Sequence, residues 1–276
     1  MGKTSIPYAD ESWSVVVGCD RPNCRNDRAG CDKCWAERLV SRLERMGYAP
    51  YAGLTRDGCW SGEVRTFPER LADPGHWRKP RRIFVAPMGD LFHRSVPDAF
   101  IDQVLDQVRF NLQHTFLLLT KQPRRMLLFA DRLRPNLPLN ILWGYSAWNQ
   151  LSLNSGWQEV RQIPGRIWVS LEPLLGAVSL PSVLREWCPK HDSDSEFCVG
   201  PCTSRRMFSW VVAGGESGPG FRPDSLMWYR AILLACQRAG MPCYLKQRAG
   251  SREGLPLLMD GEESKDFPRE RERKTC

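Results

Sequence analysis

Short apolar runs alternate with longer segments of helical apolar spacing along most of this chain. Arg82-Ile83-Phe84-Val85-Ala86-Pro87 is one such run, and between Pro97 and Phe110 apolar residues then recur at Phe100, Ile101, Val104, Leu105 and Val108, the spacing of one helix face. Thr115 to Leu119 leads into Thr120-Lys121-Gln122-Pro123 and a short helix predicted from Arg124 to Leu133. Asn140 to Ser146 leads into Asn149 and a helix ending near Gln162, and Arg166 to Leu171 ends at Glu172-Pro173. Ser209 to Ala213 ends at Gly214-Gly215-Glu216-Ser217, ahead of a helix predicted from Asp224 to Ala239 with Asp224 as its cap. Met241 to Leu245 ends at Lys246-Gln247.

Continuous apolar strands that alternate with helices imply a parallel sheet covered on both faces, because a sheet with one wet face shows period-two alternation. Six such runs follow Lys79, and Trp13 to Val17 is the predicted first strand. The expected fold is therefore α/β, a full or partial (β/α) barrel of parallel strands. A doubly wound open sheet fits the same pattern. Both arrangements put a ligand site at the carboxyl ends of the strands, where this chain carries Asp90, Lys121, Ser146 with Asn149, Glu172, Gly214-Gly215-Glu216 and Lys246. Residues 1–249 read as one barrel-like domain, and 250–276, rich in both charge signs and poor in periodicity, as a flexible tail.

Composition narrows the partners. In 276 residues with 42% hydrophobic content there is no apolar stretch near the ~20 residues that cross a bilayer, so no membrane partner is expected. The segment Met1 to Pro7 lacks the apolar core of a secretory signal, which makes the expected location cytoplasmic. A net charge of +8, partly in runs such as Arg78-Lys79-Pro80-Arg81-Arg82, suits a nucleotide or nucleic-acid partner, although charge runs also serve as solvated faces. Eleven tryptophans are many; Trp143, Trp168 and Trp210 fall inside strand runs and are predicted core.

Cysteine spacing carries the strongest chemical signal. Cys19, Cys24, Cys31 and Cys34 lie within sixteen positions, on a turn-rich loop that opens the helical run Trp35 to Leu43. A helix N-terminus favours anionic ligands, and eleven cysteines in a reducing compartment point to metal rather than disulfides. Four thiolates would close the shell of a structural Zn²⁺, whereas three would leave an iron–sulfur cluster open at one iron. A second set, Cys188, His191, Cys198 and Cys202, sits in a Cys/His-rich insertion at 187–206 and fits structural zinc. A zinc-stabilised, non-catalytic nucleic-acid-binding protein is thus one reading of the whole chain.

Ordered blocks give another. Gly18-Cys19, Gly30-Cys31-Asp32-Lys33-Cys34-Trp35-Ala36-Glu37-Arg38, Phe67-Pro68-Glu69-Arg70, Met88-Gly89-Asp90-Leu91-Phe92-His93, Leu119-Thr120-Lys121-Gln122-Pro123, Leu171-Glu172-Pro173-Leu174-Leu175-Gly176 and Gly214-Gly215-Glu216-Ser217-Gly218-Pro219 resemble the phage-associated three-cysteine-motif family of unknown function, from about Trp13 to Gln247. That family's cysteine motif and βα units are similar to those of radical S-adenosylmethionine enzymes. The resemblance implies a [4Fe–4S] cluster on Cys19, Cys31 and Cys34, with Cys24 an extra residue. It also implies S-adenosylmethionine as cofactor and radical chemistry on a nucleotide or nucleic acid. In that picture Asn149, Glu172, Gly214, Gly215 and Glu216 bind cofactor, and Asp90, Lys121 and Lys246 are candidate catalytic groups. The spacing departs from Cys-x3-Cys-x2-Cys, with eleven residues between Cys19 and Cys31, and Lys33 stands where an aromatic residue is usual.

Overall fold

The computed structural model describes residues 4–20, 30–180 and 208–268. In chain order the strands are β1 (Glu11–Trp13), β2 (Val16–Gly18), β3 (Thr55–Arg56), β4 (Cys59–Trp60), β5 (Val64–Thr66), β6 (Arg82–Val85), β7 (Thr115–Thr120), β8 (Ile141–Ala147), β9 (Arg166–Leu171), β10 (Trp210–Ala213), β11 (Cys243–Leu245), β12 (Leu258–Met259) and β13 (Glu262–Glu263). The helices are α1 (Trp35–Arg45), α2 (Asp73–His76), α3 (Asp98–Phe110), α4 (Pro123–Arg132), α5 (Gln150–Val160) and α6 (Leu226–Arg238).

Seven strands form one sheet in the order β1-β6-β7-β8-β9-β10-β11, every neighbour parallel. Each new strand is added on the same side, with no reversal of order. That is the winding of a barrel and excludes the doubly wound sheet, which needs a switch point. Among the described residues no ladder joins β11 to β1, so the fold is a half-barrel.

The pleat explains why the strands read as unbroken apolar runs. On one face Ile83, Val85, Phe116, Leu118, Trp143, Tyr145 and Val169 pack against the helices, and α3 buries the five residues whose spacing predicted it. On the other face Phe84, Leu117, Leu142, Trp168, Trp210, Val212 and Tyr244 form a second core. Tyr8, from the segment before β1, covers that core, with ring centroids 5.5 Å from both Trp210 and Tyr244. Phe267 flanks it, 5.7 Å from Trp210. Each such aromatic pair adds about 1 kcal/mol beyond the area it buries. Trp143, Trp168 and Trp210 are core, as their strand positions predicted.

Three elements differ from the sequence expectation. The stretch Trp13 to Val17 is not one strand: β1 ends at Trp13, and β2 turns away to pair antiparallel with β5. Gly18 makes the exit, with φ +106°, and a Cβ there would collide with the Glu63 carbonyl. Helix α6 is capped by Ser225, whose side chain accepts from the Met227 N–H, while Asp224 accepts from Arg248, the Ala249 N–H and the Tyr229 hydroxyl. The segment from 250 is packed as far as 268. It buries Leu257 and Met259, and the Leu245 and Asp266 N–H groups bond to Ser264 and Cys243 carbonyls, so the segment covers the open edge of β11. The insertion at 187–206 lies outside the described residues.

Candidate functional site

A cleft of about 870 Å³ opens above the carboxyl ends of the parallel strands. Cys19, Cys31 and Cys34 are among the residues that line it. They arrive by different routes. Cys19 follows β2, which is bound to the β6 end by a hydrogen bond from the Gly18 N–H to the Met88 carbonyl (3.1 Å). Cys34 is the N-cap of α1, and its side chain makes no capping bond there. Cys31 follows Gly30, where a Cβ would meet the Trp148 ring at 2.5 Å, so glycine lets the cysteine turn lie on the end of β8. None of the three is joined in a disulfide among the described residues, and all are partly exposed. Cys24 and the set Cys188, His191, Cys198 and Cys202 lie outside the described residues.

The same cleft is lined by Glu172 and Lys246. The Lys246 ammonium lies 3.1 Å from Glu172 Oε1. Glu172 Oε2 accepts hydrogen bonds from the Tyr8 hydroxyl (2.9 Å) and the Ser170 hydroxyl (3.0 Å). Burial, and next the Glu172 carboxylate, push the Tyr8 phenol well above its ordinary pKa, so Tyr8 is a fixed neutral donor. Lys265 sits beneath, donating to the Leu245 and Lys246 carbonyls, and burial pulls its pKa down. Tyr8 and Ser170 were not singled out from sequence: Tyr8 lies in an N-terminal stretch without periodicity, and Ser170 looks like any strand residue.

Other predicted residues have structural partners. Asp90 accepts from the Thr120 hydroxyl at 2.8 Å and from the Lys121 and Phe92 N–H groups at 2.9 Å, tying the β6 loop to the end of β7. Lys121 lines the cleft beside it. The Glu216 carboxylate is buried and takes three hydrogen bonds from Arg222, one from the backbone N–H and two from the guanidinium. Gly215 lines the cleft, and a Cβ there would collide with the Ala249 backbone. Gly214 lies behind, between Glu172 and Lys246. Asn149 caps α5, accepting from the Ser152 N–H at 2.9 Å, and is not among the residues that line the cleft.

Asp20 and His93 add a feature that spacing concealed. Ligand-type atoms of Cys19, Asp20 and His93 lie within 4.8 Å of one another. His93 Nδ1 accepts from the Ser95 N–H, so its proton sits on Nε2 and is donated to Asp20 Oδ1 at 2.5 Å. Arg94 Nε holds Asp20 Oδ2 at 2.6 Å. In this tautomer His93 offers a metal no lone pair at Nε2. The pair is a clamp on the residue next to Cys19, and the adjacency of Asp20 to Cys19 was its one sequence signal.

A family model described as "Protein of unknown function (DUF5131)" matches residues 3–268. The chain belongs to this family. The DUF5131 match takes in Tyr8, the three cleft cysteines, Glu172 and Lys246. No curated protein matches the sequence. Among solved structures this DUF5131 chain is similar to a double mutant of spore photoproduct lyase with bound AdoMet and dinucleoside spore photoproduct, at 11% identity and TM-score 0.41, over 62% of this chain and 48% of that one. It is also similar to spore photoproduct lyase complexed with dinucleoside spore photoproduct, at 11% identity and TM-score 0.43, over 87% of this chain and 63% of that one. The DUF5131 chain spans about half the length of the first of these.

Proposed function

We propose that this protein is an iron–sulfur enzyme that uses S-adenosylmethionine for radical chemistry on a nucleotide or nucleic acid. The observation that carries the reading is the arrival of Cys19, Cys31 and Cys34 at one cleft above the strand ends of a half-barrel. The donor set suits a polynuclear group. Among the described residues, Cys19, Cys31 and Cys34 do not form a group with all three sulfurs within 4.8 Å of one another. Thiols on different irons suit such an arrangement better than ligands of a single ion, which must all crowd together.

Held by these three thiols, a [4Fe–4S] cluster would supply one-electron cleavage of S-adenosylmethionine at its open iron. The chain's own residues orient and shield. Glu172, fixed by Tyr8 and Ser170, and Lys246 present one negative and one positive group to the cleft. The aromatic core beneath them keeps water from the floor. Asp90 sets the backbone at Lys121. The net charge of +8 supports an anionic substrate. For Cys188, His191, Cys198 and Cys202 we propose a structural Zn²⁺ that orders the insertion. The proposed setting is cytoplasmic, the host cytoplasm for a phage-encoded chain; among the described residues no helix is long and apolar enough to cross a membrane.

Anaerobically reconstituted protein, given S-adenosylmethionine and a strong one-electron reductant, is expected to form 5′-deoxyadenosine. Lys246→Ala and Glu172→Gln should lower that yield without changing iron content. Iron-loaded protein that forms no 5′-deoxyadenosine would contradict the radical step.

A further inference from the structure

The loop after β10 and the Cys31–Cys34 turn are joined by three contacts, each from a residue that the proposed chemistry leaves unused. Arg222, which neutralises the buried Glu216 carboxylate, places its other guanidinium nitrogen 3.9 Å from Asp32, one of the two residues between Cys31 and Cys34. Arg38, in the first turns of the helix that Cys34 caps, donates to the Ser217 carbonyl at 2.5 Å. Gly218 has φ +100°, and a Cβ on it would lie 2.8 Å from the Arg38 guanidinium, so glycine is what lets the loop rest on that side chain. Lys33 approaches the same loop at Gly220, where a Cβ would lie 3.0 Å from its ammonium.

We infer that Arg222 and Arg38 are positioning residues that clasp the Cys31–Cys34 turn to the Gly214–Pro219 loop. The inference rests on the reading of these thiols as cluster ligands and deepens it. Glu216 then acts through Arg222, with its carboxylate committed to a salt bridge rather than to a cofactor. The loop is itself fixed to the rim, because the Gly215 N–H donates to the Gln247 carbonyl and the Gly250 N–H to the Glu216 carbonyl. Cys19 has a separate support, made of β2, β5 and the Asp20–His93–Arg94 clamp. Two thiols therefore depend on Arg222 and one does not.

The test is the rate of iodoacetamide labelling at each cysteine of the metal-free full chain, read by peptide mass spectrometry, with the electron paramagnetic resonance signal of the reduced, reconstituted protein as second readout. Arg222→Ala should raise labelling at Cys31 and Cys34 about fivefold while Cys19 stays within a factor of about two, as expected for a local opening. It should also broaden the resonance signal. Arg222→Lys should restore most of both. Buried Cys236 and Cys243 report global unfolding; if Arg222→Ala unmasks them, Asp32→Asn, which keeps the Glu216–Arg222 bridge, decides, with a smaller rise confined to Cys31 and Cys34. Equal change at all three thiols in Asp32→Asn, or no change in either variant, would overturn the clasp. A protein that takes up no iron yet shows the predicted labelling pattern would sink the cluster and leave the clasp standing; normal iron uptake with unchanged labelling would do the reverse.

Discussion

Lys246 reaches Glu172 across an intervening strand: the two side chains meet at 3.1 Å although β10 lies between β9 and β11. Leu171, Ala213 and Leu245 are in register on the three strands, so Glu172, Gly214 and Lys246 form the next row. A Cβ at Gly214 would stand 3.1 Å from Glu172 Oε1 and 3.3 Å from Lys246 Cβ. The glycine is the gap through which the ion pair forms.

The two glycines of that segment should respond differently to alanine. In Gly214→Ala the nearest atom is the movable end of Glu172, and Lys246 Cβ at 3.3 Å need give only a few tenths of an ångström, with an expected cost of about 1 kcal/mol. Gly215→Ala meets the Ala249 backbone, which cannot shift, and should cost about 3 kcal/mol. Urea unfolding measures both, and equal losses would contradict the packing described.

Alkaline pH should destabilise the fold through its buried phenols. Burial raises the pKa of Tyr8, Tyr145 and Tyr229 in the folded chain. Their contribution is complete below the unfolded value of about 10 and is lost as pH rises toward the folded values, because only the unfolded chain then releases the protons. Tyr8→Phe should reduce the slope of stability against pH above about 10 relative to wild type. An unchanged slope would show that Tyr8 is not buried against Glu172.

At the acid end the sign reverses. Burial pushes the Asp224 carboxyl up, but hydrogen bonds from Arg248, the Ala249 N–H and Tyr229 outweigh it and hold the pKa below the ordinary value. That stability is present above the unfolded value of about 3.9 and is lost as pH falls through the folded one. Asp224→Asn should destabilise the protein at neutral pH and flatten the acid limb of the unfolding profile. An acid limb as steep as in wild type would place the responsible carboxylates elsewhere.

His93 should matter through its proton donor. His93→Ala leaves Asp20 with Arg94 as its remaining partner in the clamp and should cost about 2 kcal/mol, with faster labelling at Cys19 than at Cys31 or Cys34. His93→Gln, which can donate in its place, should recover most of the loss. If both variants behave alike, the donated hydrogen bond is not what holds the loop.

Periodicity exposed those parts of this molecule that periodicity builds. Phe100, Ile101, Val104, Leu105 and Val108 announce α3, and the apolar runs announce β6 through β11, because their side chains fill two continuous cores. The winding was not legible, since strand order is a tertiary choice that the runs do not encode. The break after Trp13 was hidden because it depends on pairing with β5, a three-residue strand too short to show a pattern. For the site, Glu172 and Lys246, both picked out by strand-end position, line one cleft and form an ion pair. That position did not reveal that Glu216 is bonded to Arg222, six residues on, or that the Asn149 side chain caps a helix. Both are local partners that strand-end position does not encode. The Tyr8 contact joins residues 164 positions apart and leaves no local trace.

Cys19, Cys31 and Cys34 are the proposed cluster ligands, and iron and sulfide analysis of anaerobically reconstituted variants decides whether these three thiols hold it. Wild type and Cys24→Ala should each hold about four irons and four sulfides per chain, and Cys31→Ala should lose both. Stoichiometric zinc without iron in wild type, or equal loss of metal in Cys24→Ala and Cys31→Ala, would contradict this ligand set.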